Sequence, residues 1–132
     1  QGAKRVLPLA VSVAAHSPLM ESAAERLREE LARTPINAPS PAVVANCTAL
    51  PITSADEVLT ELASQLTSPI RWAASIQHMV EQGITVFIEV GPKEVLTGLV
   101  KRIAPDVTAM ACGTADGVRE VAGFLRQQGV RP

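Results

Sequence analysis

His16 and Ser17 set an imidazole beside a hydroxyl, the pairing from which a general base and a nucleophile are made. His16 falls where an apolar stretch of strand character (Val6, Leu7, Leu9, Val11, Val13) stops and Ser17-Pro18 opens a periodic helix. Pro18 suits the first helical position, where its missing N–H is not needed, and Ser17 suits the cap before it. The hydroxyl is then spent on the backbone, and the imidazole is left pinned at a strand-to-helix corner. A histidine at such a corner serves as a base over a cleft or as a purely structural group, and spacing does not decide between them.

No other residue makes as good a case for chemistry. His78 lies mid-helix, one position from the inward stripe, and reads as a surface or boundary residue. Ser12, Ser17, Ser22, Ser40, Ser54, Ser64, Ser68 and Ser75 are the serines, and none follows a glycine in a strand-to-helix turn, so there is no GxSxG elbow. Neither a phosphate loop nor a set of metal ligands appears. Cys47 and Cys112 lie far apart with no CxxC or Cys/His spacing, and read as buried free thiols of a reducing cytoplasm.

Composition narrows the class. The 132 residues make one domain or part of one. Trp72, Phe87 and Phe124 are the only aromatics, so the core is expected to be aliphatic. Twelve basic and thirteen acidic residues, without blocks of like charge, disfavour nucleic-acid binding. No apolar run approaches the ~20 residues of a membrane helix, and the N-terminus lacks a signal peptide's apolar region.

The elements that must hold the histidine follow from periodicity. A strand is expected over 5–14 and a helix over 18–33, with Met20, Ala23, Ala24, Leu27 and Leu31 inward and Arg26–Glu30 and Glu29–Arg33 paired on the outer face. After a proline-rich connector, 41–47 reads as a strand ending in Asn46, and 48–53 as loop. Ser54-Ala-Asp-Glu57 is a capping box. It starts a helix with Val58, Leu59, Leu62 and Leu66 inward. Ser68-Pro69 restarts helix with Ile70, Ala73, Ile76, Met79 and Val80 inward, and Gly83 ends it. Residues 85–90 form the best strand, apolar enough for a parallel sheet. A helix with Val95, Leu96, Leu99, Val100 and Ile103 inward follows, then a strand over 107–111 and a helix over 115–127 burying Val118, Val121, Ala122 and Leu125. The alternation from 42 onward predicts an α/β chain with a mostly parallel sheet flanked by helices.

Four blocks, VSVAAHSPLM (11–20), INAPSPAVVANCTA (36–49), LASQLTSPIRWAASIQHMVEQG (62–83) and FIEVGPKEVLTGLVKRI (87–103), resemble the malonyl-CoA:acyl-carrier-protein transacylases and related acyltransferase domains of fatty-acid and polyketide synthases. They occur in the family's order and spacing, and together cover nearly the whole chain. The resemblance implies the C-terminal part of an α/β-hydrolase-like acyltransferase fold. Residues 1–15 would be the last strand of a small ferredoxin-like subdomain, and 16–132 the return into the large subdomain. It implies ping-pong transfer of malonyl from malonyl-CoA, through a serine in a GHSxG elbow, to the phosphopantetheine thiol of acyl carrier protein. It further implies that no cofactor is bound, that the coenzyme A thioester is substrate, and that the partner carries the phosphopantetheine.

Residue by residue, the resemblance makes His16 the general base and Gln65 the source of a main-chain carbonyl orienting it, so the Gln65 side chain should be replaceable. Asn46 matches as a supporting group behind them, or as a plain turn residue. Ala15 stands where the family helps select its acyl group; being small, it leaves malonyl and branched units open, with malonyl expected from the surrounding blocks. Lys93, Lys101 and Arg102 are candidate docking cations for an acidic carrier protein, although Lys101 and Arg102 also suit a helix C-terminus unaided. The family's serine elbow, its malonyl-binding arginine and its oxyanion glutamine have no counterpart here. The chain alone is therefore expected to be inactive and prone to associate, with an N-terminal segment or partner chain completing the site. The competing readings are a non-catalytic carrier-binding or scaffolding half-domain of the same family, and an unrelated small α/β interaction domain.

Overall fold

A computed structural model describes residues 12–129, in two compact units that divide between Arg71 and Trp72. The strand expected over 5–14 lies outside the described residues for 5–11, and 12–14 form no strand.

In the first unit a single 3₁₀ turn, Pro18–Met20, leads into α1, Glu21–Leu31. The helix expected from Pro18 to Arg33 is thus shorter at both ends. Its first turn is tightened, with the Met20 N–H donating to the Ser17 carbonyl at 3.1 Å. Ser17 does not cap with its side chain. Its Oγ instead donates to the Ala14 carbonyl at 2.7 Å, closing the turn that carries His16. Ala24 is fully buried at the centre of the α1 stripe, and the ion pair formed on the outer face is Arg28–Glu21 at 2.9 Å.

The next strands correct the expectation of a parallel sheet. β1 (Val43–Val44) pairs antiparallel with β2 (Pro51–Ile52), so the segment read as loop turns back on the one before it. The Ala45 N–H donates to the Leu50 carbonyl at 2.8 Å, and Ala49 takes a left-handed φ of 63° inside the turn. The cause of the reversal lies on α2, Ala55–Gln65, whose Glu61 carboxylate accepts the N–H of Asn46 at 2.8 Å and of Cys47 at 3.1 Å. Backbone donors claimed by a side chain cannot extend a ladder.

The capping box at the start of α2 forms in both directions. Ser54 Oγ accepts from the Glu57 N–H at 3.2 Å, and Glu57 Oε2 accepts from the Ser54 N–H at 3.1 Å. Glu57 Oε2 also takes the Thr53 N–H, at 2.6 Å, and the Thr53 hydroxyl, at 2.8 Å. Those donors hold the Glu57 carboxyl below its ordinary value, the Thr53 N–H contributing most. α2 packs against α1.

The second unit runs α3 (Trp72–Glu81), β3 (Val86–Glu89), α4 (Val95–Ile103), β4 (Thr108–Ala111) and α5 (Ala115–Gln127). β3 and β4 are parallel, in register from Val86↔Thr108 to Glu89↔Ala111, with α4 as the crossover that a parallel pair requires. Ile76, Val100 and Ala109 form the core, with Trp72, Phe87 and Ile103 packed around them. α3 starts at Trp72 rather than at Ser68-Pro69, so Ile70 and Ala73 are exposed and Ser75 takes the inward position beside Ile76. Val95, Leu96 and Val118, expected inward, are exposed as well. Among the described residues the sheets are one antiparallel and one parallel pair, and the chain is mostly helical.

Two junctions of this unit are tight. The Glu89 carboxylate, at the end of β3, accepts the N–H of Leu96 at 3.1 Å and of Thr97 at 2.7 Å, capping α4 from outside it. The Thr97 N–H is the main cause of a Glu89 carboxyl lying below its ordinary value. At Gly113 a Cβ would collide with the carbonyl oxygen of Gly91, which itself needs a φ of 139°. Among the described residues no helix is long and apolar enough to cross a membrane.

Candidate functional site

His16 sits at a backbone position that few side chains occupy. Its φ is 61°, a left-handed conformation costing roughly 1–2 kcal/mol for a residue with a Cβ. Such a conformation persists when its surroundings over-determine it. Here Ser17 closes the turn on one side, and the ring is fastened on the other. His16 Nδ1 lies 2.8 Å from the main-chain oxygen of Gln65. A carbonyl can only accept, so Nδ1 is the donor, and in the neutral ring Nε2 carries the free lone pair. The residue is half-buried, and among the described residues no hydrogen bond is made to Nε2.

Gln65 is the last residue of α2, and its carbonyl is one of those a helix end leaves without an intrahelical donor. The capping box at Ser54 thereby anchors, eleven residues upstream in the same rigid element, the oxygen that orients the ring. The chemistry open to this pair is proton abstraction at Nε2 by a ring fixed in tautomer and direction.

Asn46 lies in the turn between β1 and β2. Its N–H is held by Glu61, and its carbonyl accepts from the Arg71 N–H at 2.8 Å. Asn46, Gln65, Leu62 and Val44 help line a cleft of about 270 Å³. Ala15 is exposed next to His16. Lys93, Lys101 and Arg102 are exposed in the second unit. Lys93 precedes α4 with a φ of 75°, and the other two lie in the helix's last turn, so they stand at opposite ends of one helix.

Sequence reasoning missed Glu61, although a signal was there. It stands three residues after Val58 and one before Leu62, at inward spacing, where a carboxylate needs donors if it is to be buried. It is 8% exposed and finds them in the Asn46 and Cys47 amides. Cys47 feels it in turn. Burial first, and then the Glu61 charge, push the Cys47 thiol up, against a smaller opposing pull from Ser68. His78, read as a surface or boundary residue, is half-buried, its Nε2 enclosed and without a partner among the described residues, like Trp72 Nε1.

The chain is 43% identical over 124 residues to the malonyl CoA-acyl carrier protein transacylase of Haemophilus influenzae, a match covering 94% of this chain and 40% of that protein. Its fold matches the crystal structure of an acyl carrier protein S-malonyltransferase from Vibrio cholerae with a TM-score of 0.85 at 40% identity, covering 91% of this chain and 39% of that one. It also matches, with a TM-score of 0.85 at 39% identity, a solved complex of a type II PKS acyl-carrier protein with its malonyl-transacylase, covering 92% of this chain and 40% of that one. No family model matches the chain. The fold is an α/β fold related to that of these transacylases. The chain belongs to the malonyl-CoA:acyl carrier protein transacylase family, and it spans about two fifths of the length of the relatives it matches.

Proposed function

We propose that this chain supplies the general base of a serine–histidine malonyl transferase, the serine coming from a GHSxG segment outside these 132 residues. The observation that carries the reading is the 2.8 Å contact of His16 Nδ1 with the Gln65 carbonyl, which directs a free Nε2 lone pair away from the fastened side of the ring. Nε2 takes the proton of the serine hydroxyl as the serine oxygen attacks the malonyl thioester carbon. The carbon–sulfur bond breaks, and coenzyme A leaves as its thiol with the proton returned by the ring. In the second half, Nε2 takes the proton of the phosphopantetheine thiol of acyl carrier protein. The sulfur attacks the malonyl ester, and the serine oxygen leaves and recovers the proton. Gln65 serves through its backbone, Asn46 steadies the neighbouring turn, and Ala15 borders the acyl group.

The transacylases that this chain resembles support malonyl-CoA and acyl carrier protein as substrates. The test is transfer from malonyl-CoA to holo acyl carrier protein by this chain together with the serine-bearing segment. His16→Ala is expected to lower the rate by about 10²–10⁴-fold, the usual worth of a general base. Transfer at an unchanged rate would overturn the reading.

A further inference from the structure

We propose that Pro69 is a positioning residue for His16: having no N–H to give, it keeps the Gln65 carbonyl unclaimed by its own chain, so that the imidazole takes it. The functional meaning rests on the reading of His16 as the base; the physical content rests on geometry.

In an α-helix each carbonyl accepts the N–H four residues on. At the end of α2 the Ser64 carbonyl follows this rule, accepting the Ser68 N–H at 3.0 Å, with Thr67 also bonded to it at 3.1 Å. The next acceptor in line is Gln65, and the residue four further on is Pro69, which has no N–H. Proline also disfavours helical backbone at the residue before it, so Ser68 cannot carry the helix past this point. Among the described residues no main-chain N–H bonds the Gln65 oxygen, and the donor it receives is His16 Nδ1.

Any other residue at 69 would bring an N–H that one more helical step directs at the same oxygen. Two donors would then compete for it. The local donor has the advantage, because the imidazole arrives from 49 residues away on a backbone held at a φ of 61°. Losing the contest frees the ring to exchange tautomers. In the Nε2–H form the nitrogen meant to accept a proton already carries one. A residue with no donor of its own thereby sets the protonation pattern of the base.

The test reads ring nitrogens directly, by ¹⁵N correlation spectroscopy of the 132-residue chain at a pH where His16 is neutral. Only two histidines contribute signals, so His16→Gln assigns them. The natural chain is expected to show Nδ1 protonated and Nε2 bare. In Pro69→Ala the ratio of Nδ1–H to Nε2–H is expected to fall by about tenfold, the worth of one hydrogen bond of ordinary net strength. Lactate at position 69, with alanine's side chain but an ester in place of the N–H, is expected to restore the natural ratio.

A natural chain with His16 in the Nε2–H form overturns the proposal without any variant. An unchanged ratio in Pro69→Ala overturns it too, and so does a lactate variant behaving like alanine, which would put the effect in the ring of proline rather than in its missing donor. Unchanged helical circular dichroism and an unchanged urea-unfolding midpoint report that each variant is folded. Failure of the acyl-transfer reading is separately visible, as malonyl transfer surviving His16→Ala, and leaves these spectra unaffected.

Discussion

The imidazole of His16 and the backbone of Gln65 are joined by a 2.8 Å hydrogen bond in which glutamine contributes nothing of its side chain. Gln65→Ala is therefore expected to keep malonyl transfer within about threefold of the natural rate, well inside the range a lost base would exceed. The measurement is the rate of transfer to carrier protein by the completed enzyme. A hundredfold loss would move the role from the main chain to the amide.

Glu61 is buried in the first unit and holds two backbone amides there. Glu61→Ala leaves the Asn46 and Cys47 amides without their acceptor, and is expected to cost about 2–3 kcal/mol in urea unfolding. Glu61→Gln keeps one acceptor oxygen and is expected to cost less than half of that. Equal losses in the two variants would mean that the site responds to charge rather than to acceptors.

The same carboxylate tunes a thiol. Burial and the Glu61 charge raise Cys47, which lowers its thiolate fraction at neutral pH and should slow its alkylation by iodoacetamide relative to a free cysteine. In Glu61→Gln the charge is gone, so Cys47 is expected to react faster under native conditions, read by mass spectrometry of the labelled peptide. No acceleration would mean that access, not ionisation, limits the reaction.

Acid should loosen α2 from its N-terminus. The folded-state Glu57 carboxyl lies below the ordinary value of 4.5, so its contribution to stability is complete above that pH. It is lost as the pH falls through the lower folded value. Glu57→Gln should remove this component of the pH dependence between neutrality and acid, followed by helical circular dichroism during urea titration at each pH. An identical pH profile in the variant would contradict it.

Some of this architecture can be read from the chain and some cannot, for identifiable reasons. Ser54 and Glu57 announce a helix start because both halves of the capping box are local. The left-handed Gly83 and the strand over 86–89 are local signals too. β2 escapes notice because two residues carry no periodicity, and the turn before them is held by Glu61 on a later helix. Ser68-Pro69 has the composition of a helix start, yet helix begins only at Trp72. The corner at His16 can be read from Ser17-Pro18, but its bond to Gln65 cannot, since residues 49 apart share no spacing rule. Only the family resemblance points to that partner.

The contact between Gly91 and Gly113 has a practical consequence for anyone altering this protein. Position 113 faces solvent, and by exposure alone it would be chosen for a label, a tag or a surface charge. Yet the obstacle to any side chain there is another stretch of backbone, which has no rotamer to change. Solvent on one side and main chain on the other leave one amino acid out of twenty, so this outward-facing site is as unforgiving of change as the interior.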